Sequence, residues 1–178
     1  MMGQKLNLGC GKYPMDGWVN IDLYAAPGVN LVMDVEKDLP LPFADNSIEY
    51  VLASHVLEHL NAYEPLIVDI HRMLKPDGVL EIRVPVGFRP FAYHRNYFTK
   101  STFDPFICDG KHDEARRENL AWLDPKADYE LISRKHGFRS FPFAWHLKHY
   151  LNLNMSKDCM FGRSQEMIWL LRKPGKCL

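Results

Sequence analysis

Short runs in which apolar and polar positions alternate fill the first third of the chain, and a helical stripe replaces them only after residue 60. Leu6 and Leu8 alternate with polar neighbours, and the run stops at Gly9-Cys10-Gly11, the pattern of a strand breaking into a tight turn. Trp18-Val19-Asn20-Ile21-Asp22 and Asn30-Leu31-Val32-Met33-Asp34 repeat the form, each ending in an aspartate. Ile48 to Ser54 predicts a fourth strand behind the small polar residues Ala44 to Ser47. Only six residues, Lys12 to Gly17, separate the glycine turn from the second strand. A parallel crossover that carries a helix takes about a dozen or more, so the early helix is absent or cut to one turn.

The first well-defined helix follows Asn61, which is placed to cap it, with Glu64 at capping-box spacing and Pro65 in the first turn. Leu66, Ile67, Ile70, Met73 and Leu74 form its apolar stripe. Lys75-Pro76-Asp77-Gly78 ends it, and Val79 to Pro85 is a fifth strand. An irregular, aromatic-rich excursion occupies residues 86 to 124. Asp124 and Pro125 then predict the start of another helix, with Leu131 and Ile132 on its buried side and Gly137 at its end. Phe138 to Ala144 and Glu166 to Arg172 read as the last two strands.

Strands joined by helices, with the helices late and the loops early, predict an α/β fold on a mostly parallel sheet. Such sheets bind ligands beyond the carboxyl ends of their strands, where the strand order reverses. Gly9 to Gly11, Asp22, Asp34, Ser54-His55 and Pro85 each end a successive strand and are expected to converge on one crevice. A dinucleotide suits that crevice poorly. The third glycine its pyrophosphate loop needs is Pro14 here, and the helix to receive the phosphates is missing. A nucleoside without phosphate would not need either. Asp22 is placed to accept from both hydroxyls of a ribose, and Asp34 from an exocyclic adenine amine.

Composition adds bounds. With 178 residues and 47% apolar content, the chain is expected to form a single domain. Twenty-two basic residues balance twenty-two acidic ones, so no global field draws it to nucleic acid or an anionic membrane. No signal peptide or membrane span is expected, which predicts a cytoplasmic protein. Cys10, Cys108, Cys159 and Cys177 are scattered, with neither a disulfide framework nor a zinc ribbon.

Five motifs in order carry a family resemblance. Leu6-Asn7-Leu8-Gly9-Cys10-Gly11, Gly17-Trp18-Val19-Asn20-Ile21-Asp22, Leu41-Pro42-Phe43-Ala44-Asp45-Asn46-Ser47, His55-Val56-Leu57-Glu58-His59-Leu60 and Arg72-Met73-Leu74-Lys75-Pro76-Asp77-Gly78 resemble class I S-adenosylmethionine-dependent methyltransferases, most closely the small type 11 branch. The resemblance implies a Rossmann-like, mostly parallel seven-stranded sheet with an antiparallel last strand, here with reduced early helices. It also implies S-adenosyl-L-methionine as cofactor. Gly9, Cys10 and Gly11 would line its methionine part, and Asp22 and Asp34 fall where the family holds ribose and adenine. Asn7, Leu23, Val35, Ser54 and His55 complete the expected cofactor set. Two positions depart from the pattern: Asn7 replaces the more usual acid, and Tyr13 stands where a third glycine is common. Any lid over the substrate would come from the insert 86–124 or from 145–165.

Methyl transfer from a sulfonium asks the protein mainly to align two reactants and exclude water. A hydroxyl acceptor needs a base, for which His55 is the first candidate and His59 the second. His55-Val56-Leu57-Glu58-His59 also fits H-x-x-E-H, a zinc-hydrolase pattern, but it follows directly on a sheet strand, so no metal is expected. Ubiquinone-pathway O-methyltransferases, which this stretch resembles, carry E-x-x-E-H here and are associated with a divalent cation; His55 replaces their first glutamate. The expected acceptor is a small molecule or glycan, with O-methylation favoured. A nucleic-acid acceptor fits poorly, given zero net charge and no Asn-Pro-Pro-type motif after the fourth strand. The other readings are a cofactor-binding scaffold without catalysis and a metal-dependent hydrolase using His55, Glu58 and His59.

Overall fold

Alternation in the early runs is realised as parallel strands in the computed structural model, which describes residues 3–85, 94–108, 127–140 and 163–175. Seven strands form one sheet: β1 (Gln4–Leu8), β2 (Val19–Asp22), β3 (Leu31–Val32), β4 (Ile48–Ser54), β5 (Leu74–Pro85), β6 (Glu130–Ser140) and β7 (Arg163–Arg172), in the order β3-β2-β1-β4-β5-β7-β6. The first five run parallel, and β7 runs antiparallel to both β5 and β6. The chain moves outward from β1 to β3 and then crosses to β4 on the other side of β1. The switch point therefore lies between β1 and β4.

One α-helix is present among the described residues, α1 (Glu64–Met73), and it buries Leu66, Ile67, Ile70 and Met73 in the cluster formed by Leu6, Leu8, Ile21, Val51, Leu80 and Ile82. The alternate positions, such as Tyr50, Glu81 and Arg83, lie on the opposite face and are half-buried. There Tyr50 Oη and Arg83 Nε both donate to the Glu81 carboxylate. No described helix is long and apolar enough to cross a membrane.

Asn61 does not cap α1. Tyr63 is the cap residue and makes no side-chain capping bond. Asn61 is held from across the chain instead, where the Glu36 carboxylate accepts from the Asn61 N–H at 2.7 Å, its Nδ2 at 2.9 Å and the Ala62 N–H at 3.0 Å. The crossover helix between β1 and β2 is absent, as the short spacing predicts. Two buried asparagines take its place. Asn7 Nδ2 donates to Asn20 Oδ1 at 2.9 Å and to the Tyr13 carbonyl at 3.1 Å, while Asn20 exchanges hydrogen bonds with the Met15 backbone.

The helix expected after Asp124 is overturned where it can be seen. Residues 130–140 are strand β6, with Leu131 and Ile132 exposed at 39% and 49% and Gly137 inside the strand. Pairing decides it: β7 carries the apolar run Met167 to Leu171, and β6 supplies its partner along ten residue pairs. Residues 124–126 lie outside the described residues, as do 86–93, 109–123 and 141–162. Part of the expected insert is core. Phe98, Phe103 and Phe106 are buried, with Phe103 edge-on to Trp169 at 4.9 Å and close to Tyr63 at 5.7 Å.

Candidate functional site

Gly9 and Gly11 both take left-handed backbone angles, with φ of 58° and 52°, and turn the chain back across the end of β1. They serve different needs. A Cβ at Gly9 would sit 2.4 Å from Val56 Cγ2, so glycine there lets the turn after β1 pack against the turn after β4. A Cβ at Gly11 would meet nothing within 4 Å, which leaves the main chain open to a ligand. Asp22 fastens this turn. Its Oδ2 accepts from the Gly11 N–H at 2.7 Å, and its Oδ1 accepts from the Tyr24 N–H at 3.1 Å. A carboxylate offers about four acceptor positions, so roughly half of its capacity remains for a diol. Cys10 lies between the glycines with its side chain buried; burial, aided by Asp22, pushes its thiol up, so it stays protonated.

The remaining expected residues divide. Asn7 is buried and spent on the asparagine network. Leu23 is 50% exposed beside Asp22, as an apolar wall would be, whereas Val35 is buried in the core. Asp34 organises the turn after β3. Its Oδ1 accepts from the Glu36 and Lys37 N–H groups, and its Oδ2 pairs with Lys37 Nζ at 2.9 Å, which holds its carboxyl below the ordinary range. Ser54 ends β4, half-buried.

His55 stands where the motif places it, in a left-handed conformation with φ of 56°. Both its ring nitrogens face carboxylates, Nδ1 at 3.1 Å from Glu58 Oε1 and Nε2 at 3.0 Å from Glu166 Oε1. Burial opposes a charge on the ring, but the hydrogen bonds to Glu166 and Glu58 outweigh it and raise its pKa to about 9. At neutral pH the ring carries its proton and has no lone pair to offer, so the base role expected of it finds no support. His59 lies on the single turn Leu57–His59, exposed, its ring 5.2 Å from that of His94. His55, Glu58 and His59 do not form a zinc triad, because His55 is taken on both sides.

Glu166 and His94 have no role in the sequence reading. A carboxylate at the head of the apolar run Met167 to Leu171 was the available signal for Glu166; nothing local marks His94. The His55 clamp has a pH signature. Its folded-state pKa is above the unfolded value of about 6.5, so the clamp's contribution is complete below that pH and is lost as the pH rises through about 9. Glu58 and Glu166 are the charged groups facing the ring. Between pH 6.5 and 9.5, in chelator-treated protein, the wild type is expected to lose about 2 kcal/mol of unfolding free energy more than His55→Asn. Denaturant titrations at the two pH values check this, and equal losses would sink it.

A glycine turn after β1, fastened by the acidic end of β2 beside the switch point of this strand order, belongs to a Rossmann-like fold. Residues 17–82 match the family model described as "Methyltransferase domain", the type 11 branch. The demethylmenaquinone methyltransferase of Geobacillus stearothermophilus is 30% identical over 94 residues, which are 50% of this chain and 38% of that protein. The chain thus matches well under half the length of this curated relative. Among solved structures, the complex between the Haloferax volcanii Trm112 methyltransferase activator and a methyltransferase aligns with a TM-score of 0.58 at 12% identity, covering 97% of this chain and 83% of the other. The 1,6-didemethyltoxoflavin-N1-methyltransferase of Burkholderia thailandensis, solved with 1,6-didemethyltoxoflavin and S-adenosylhomocysteine, aligns with a TM-score of 0.52 at 15% identity over 96% and 70%. At these identities the structures share the fold.

Proposed function

We propose that this domain binds S-adenosylmethionine across the carboxyl ends of β1, β2 and β4 and transfers its methyl group to a small-molecule acceptor. The observation that carries the reading is the Gly11 main chain, open on its ligand side and tied by its N–H to a carboxylate with acceptor capacity to spare. Asp22 would take the ribose hydroxyls, Gly9 to Gly11 would lie along the methionine part, and exposed Leu23 would flank the adenosine. When bound, the cofactor supplies an electrophilic methyl group on a sulfonium. The protein's part is alignment and exclusion of water. Because His55 holds its proton at neutral pH, it acts as a positioning residue, and an oxygen acceptor that ionises readily suits the site better than a glycan hydroxyl.

Calorimetric titration with S-adenosylhomocysteine tests the reading, with NAD as control. Micromolar binding of the first and none of the second is expected. Asp22→Ala is expected to weaken binding by about 10- to 100-fold, as loss of hydrogen bonds to a charged group predicts. A wild type that binds neither compound would overturn the proposal. Binding without methyl transfer to any small-molecule fraction of a cell extract would favour a scaffold instead.

A further inference from the structure

We infer that Glu58, His59 and His94 form a site for a divalent transition ion of the zinc type. One carboxylate oxygen of Glu58 and one ring nitrogen of each histidine lie within 4.8 Å of one another. Two imidazoles and one carboxylate are the donor set of zinc sites that keep a fourth position open, whereas magnesium and calcium prefer oxygen alone. The ring geometry agrees. The His59 and His94 centroids are 5.2 Å apart with planes at 74°. Two imidazoles bound through nitrogen at about 2.1 Å, at a tetrahedral angle, hold their centroids about 5 Å apart.

Glu58 supplies an independent observation. The residue is 1% exposed; its Oε1 faces His55, and its Oε2 is buried with no hydrogen-bond partner. A buried carboxylate oxygen left without a partner is unfavourable, and an ion would satisfy it. His55 then supports the ligand from behind, donating to the other oxygen, as outer partners do in metal sites.

The two segments that carry the ligands are fastened together without the ion. The N–H groups of Arg95 and Asn96 donate to the Glu58 carbonyl at 2.7 and 3.3 Å. Asn96 Nδ2 donates to the carbonyls of Leu57 and Leu60, and the Arg95 guanidinium donates to Asn61 Oδ1. His94 is thus set beside His59 by its neighbours, and the ion would tie the segment from residue 94 to the turn after β4. The ligand set differs from H-x-x-E-H, since both nitrogens of His55 are engaged and a histidine beyond β5 stands in its place.

The test is a titration of the full, chelator-treated chain with Co²⁺, read by its visible absorption and reversed by Zn²⁺. One equivalent is expected to bind, with no competition from equal Mg²⁺. His94→Ala and His59→Ala are each expected to weaken Co²⁺ binding by about 100-fold. His94 is half-buried and His59 exposed, so both variants should keep the wild-type melting profile, which circular dichroism verifies. A wild type that takes up no Co²⁺, or a folded His94→Ala protein that binds it as tightly as wild type, would overturn the assignment. Neither readout depends on cofactor binding or methyl transfer.

Discussion

Gly9→Ala is expected to destabilise the protein by about 2–4 kcal/mol, while Gly11→Ala costs about 1 kcal/mol. Both glycines have positive φ, so each alanine carries the backbone cost of the left-handed region. At Gly9 a second term is added. The new methyl would lie 2.4 Å from Val56 Cγ2, and Val56 is β-branched, buried and unable to swing clear, so the two turns must separate. The Gly11 methyl would enter open space and meet only a ligand. The pair therefore divides stability from binding: Gly9→Ala lowers the denaturation midpoint, whereas Gly11→Ala mainly weakens S-adenosylhomocysteine. Denaturant unfolding and calorimetry on both variants check this, and equal midpoints for the two would show that the Val56 contact does not matter.

Asp69→Ala is expected to cost about 2–4 kcal/mol. Asp69 projects from α1 and is buried, with Oδ2 accepting from the Leu41 N–H at 2.8 Å and Oδ1 from Arg72 Nε at 2.7 Å. The Arg72 guanidinium also donates to the carbonyls of Phe43 and Leu41 and pairs with Asp45. Two of the five sequence motifs, the one from Leu41 and the one from Arg72, thus meet in a single network that pins the loop before β4 to the helix after it. Removing Asp69 leaves the buried Leu41 N–H unpaired and strips the arginine of its least exposed partner. Asp69→Asn, which keeps an acceptor for Leu41, is expected to cost about 1 kcal/mol. If both variants unfold at the wild-type denaturant concentration, the network is ornamental.

The parallel half of the fold was legible because each of its strands ends on a residue with a distinct physical signature. Gly9, Asp22 and Ser54 mark the ends of β1, β2 and β4, and α1 follows the helical stripe from Leu66 to Met73. The antiparallel half was not. β6 is an edge strand, so its composition is polar, and the adjacent Leu131 and Ile132 mimic the buried side of a helix; a register shift between Leu131 and Ser133 breaks the alternation that would have betrayed a strand. In the candidate site, the glycine turn and Asp22 could be read directly. The state of His55 could not, because it is set by Glu166, 111 residues away, and only the pairing of β7 with β5 brings that carboxylate to the ring. Asn7, expected in the cofactor set, has a structural partner that the sequence did not show. Its Nδ2 donates to Asn20 Oδ1 where a helix was dispensed with.

That exchange of a helix for two asparagines alters which part of the molecule opens most easily. An amphipathic crossover helix would bind the β1–β2 connection to the sheet through apolar area, coupling its opening to global unfolding. Directional bonds among Asn7, Tyr13, Met15 and Asn20 hold it instead, and Tyr13 in it is 72% exposed. The β1–β2 connection is therefore expected to open as a unit of its own, exchanging its amide protons while α1 and the central strands stay closed, which native-state hydrogen exchange checks.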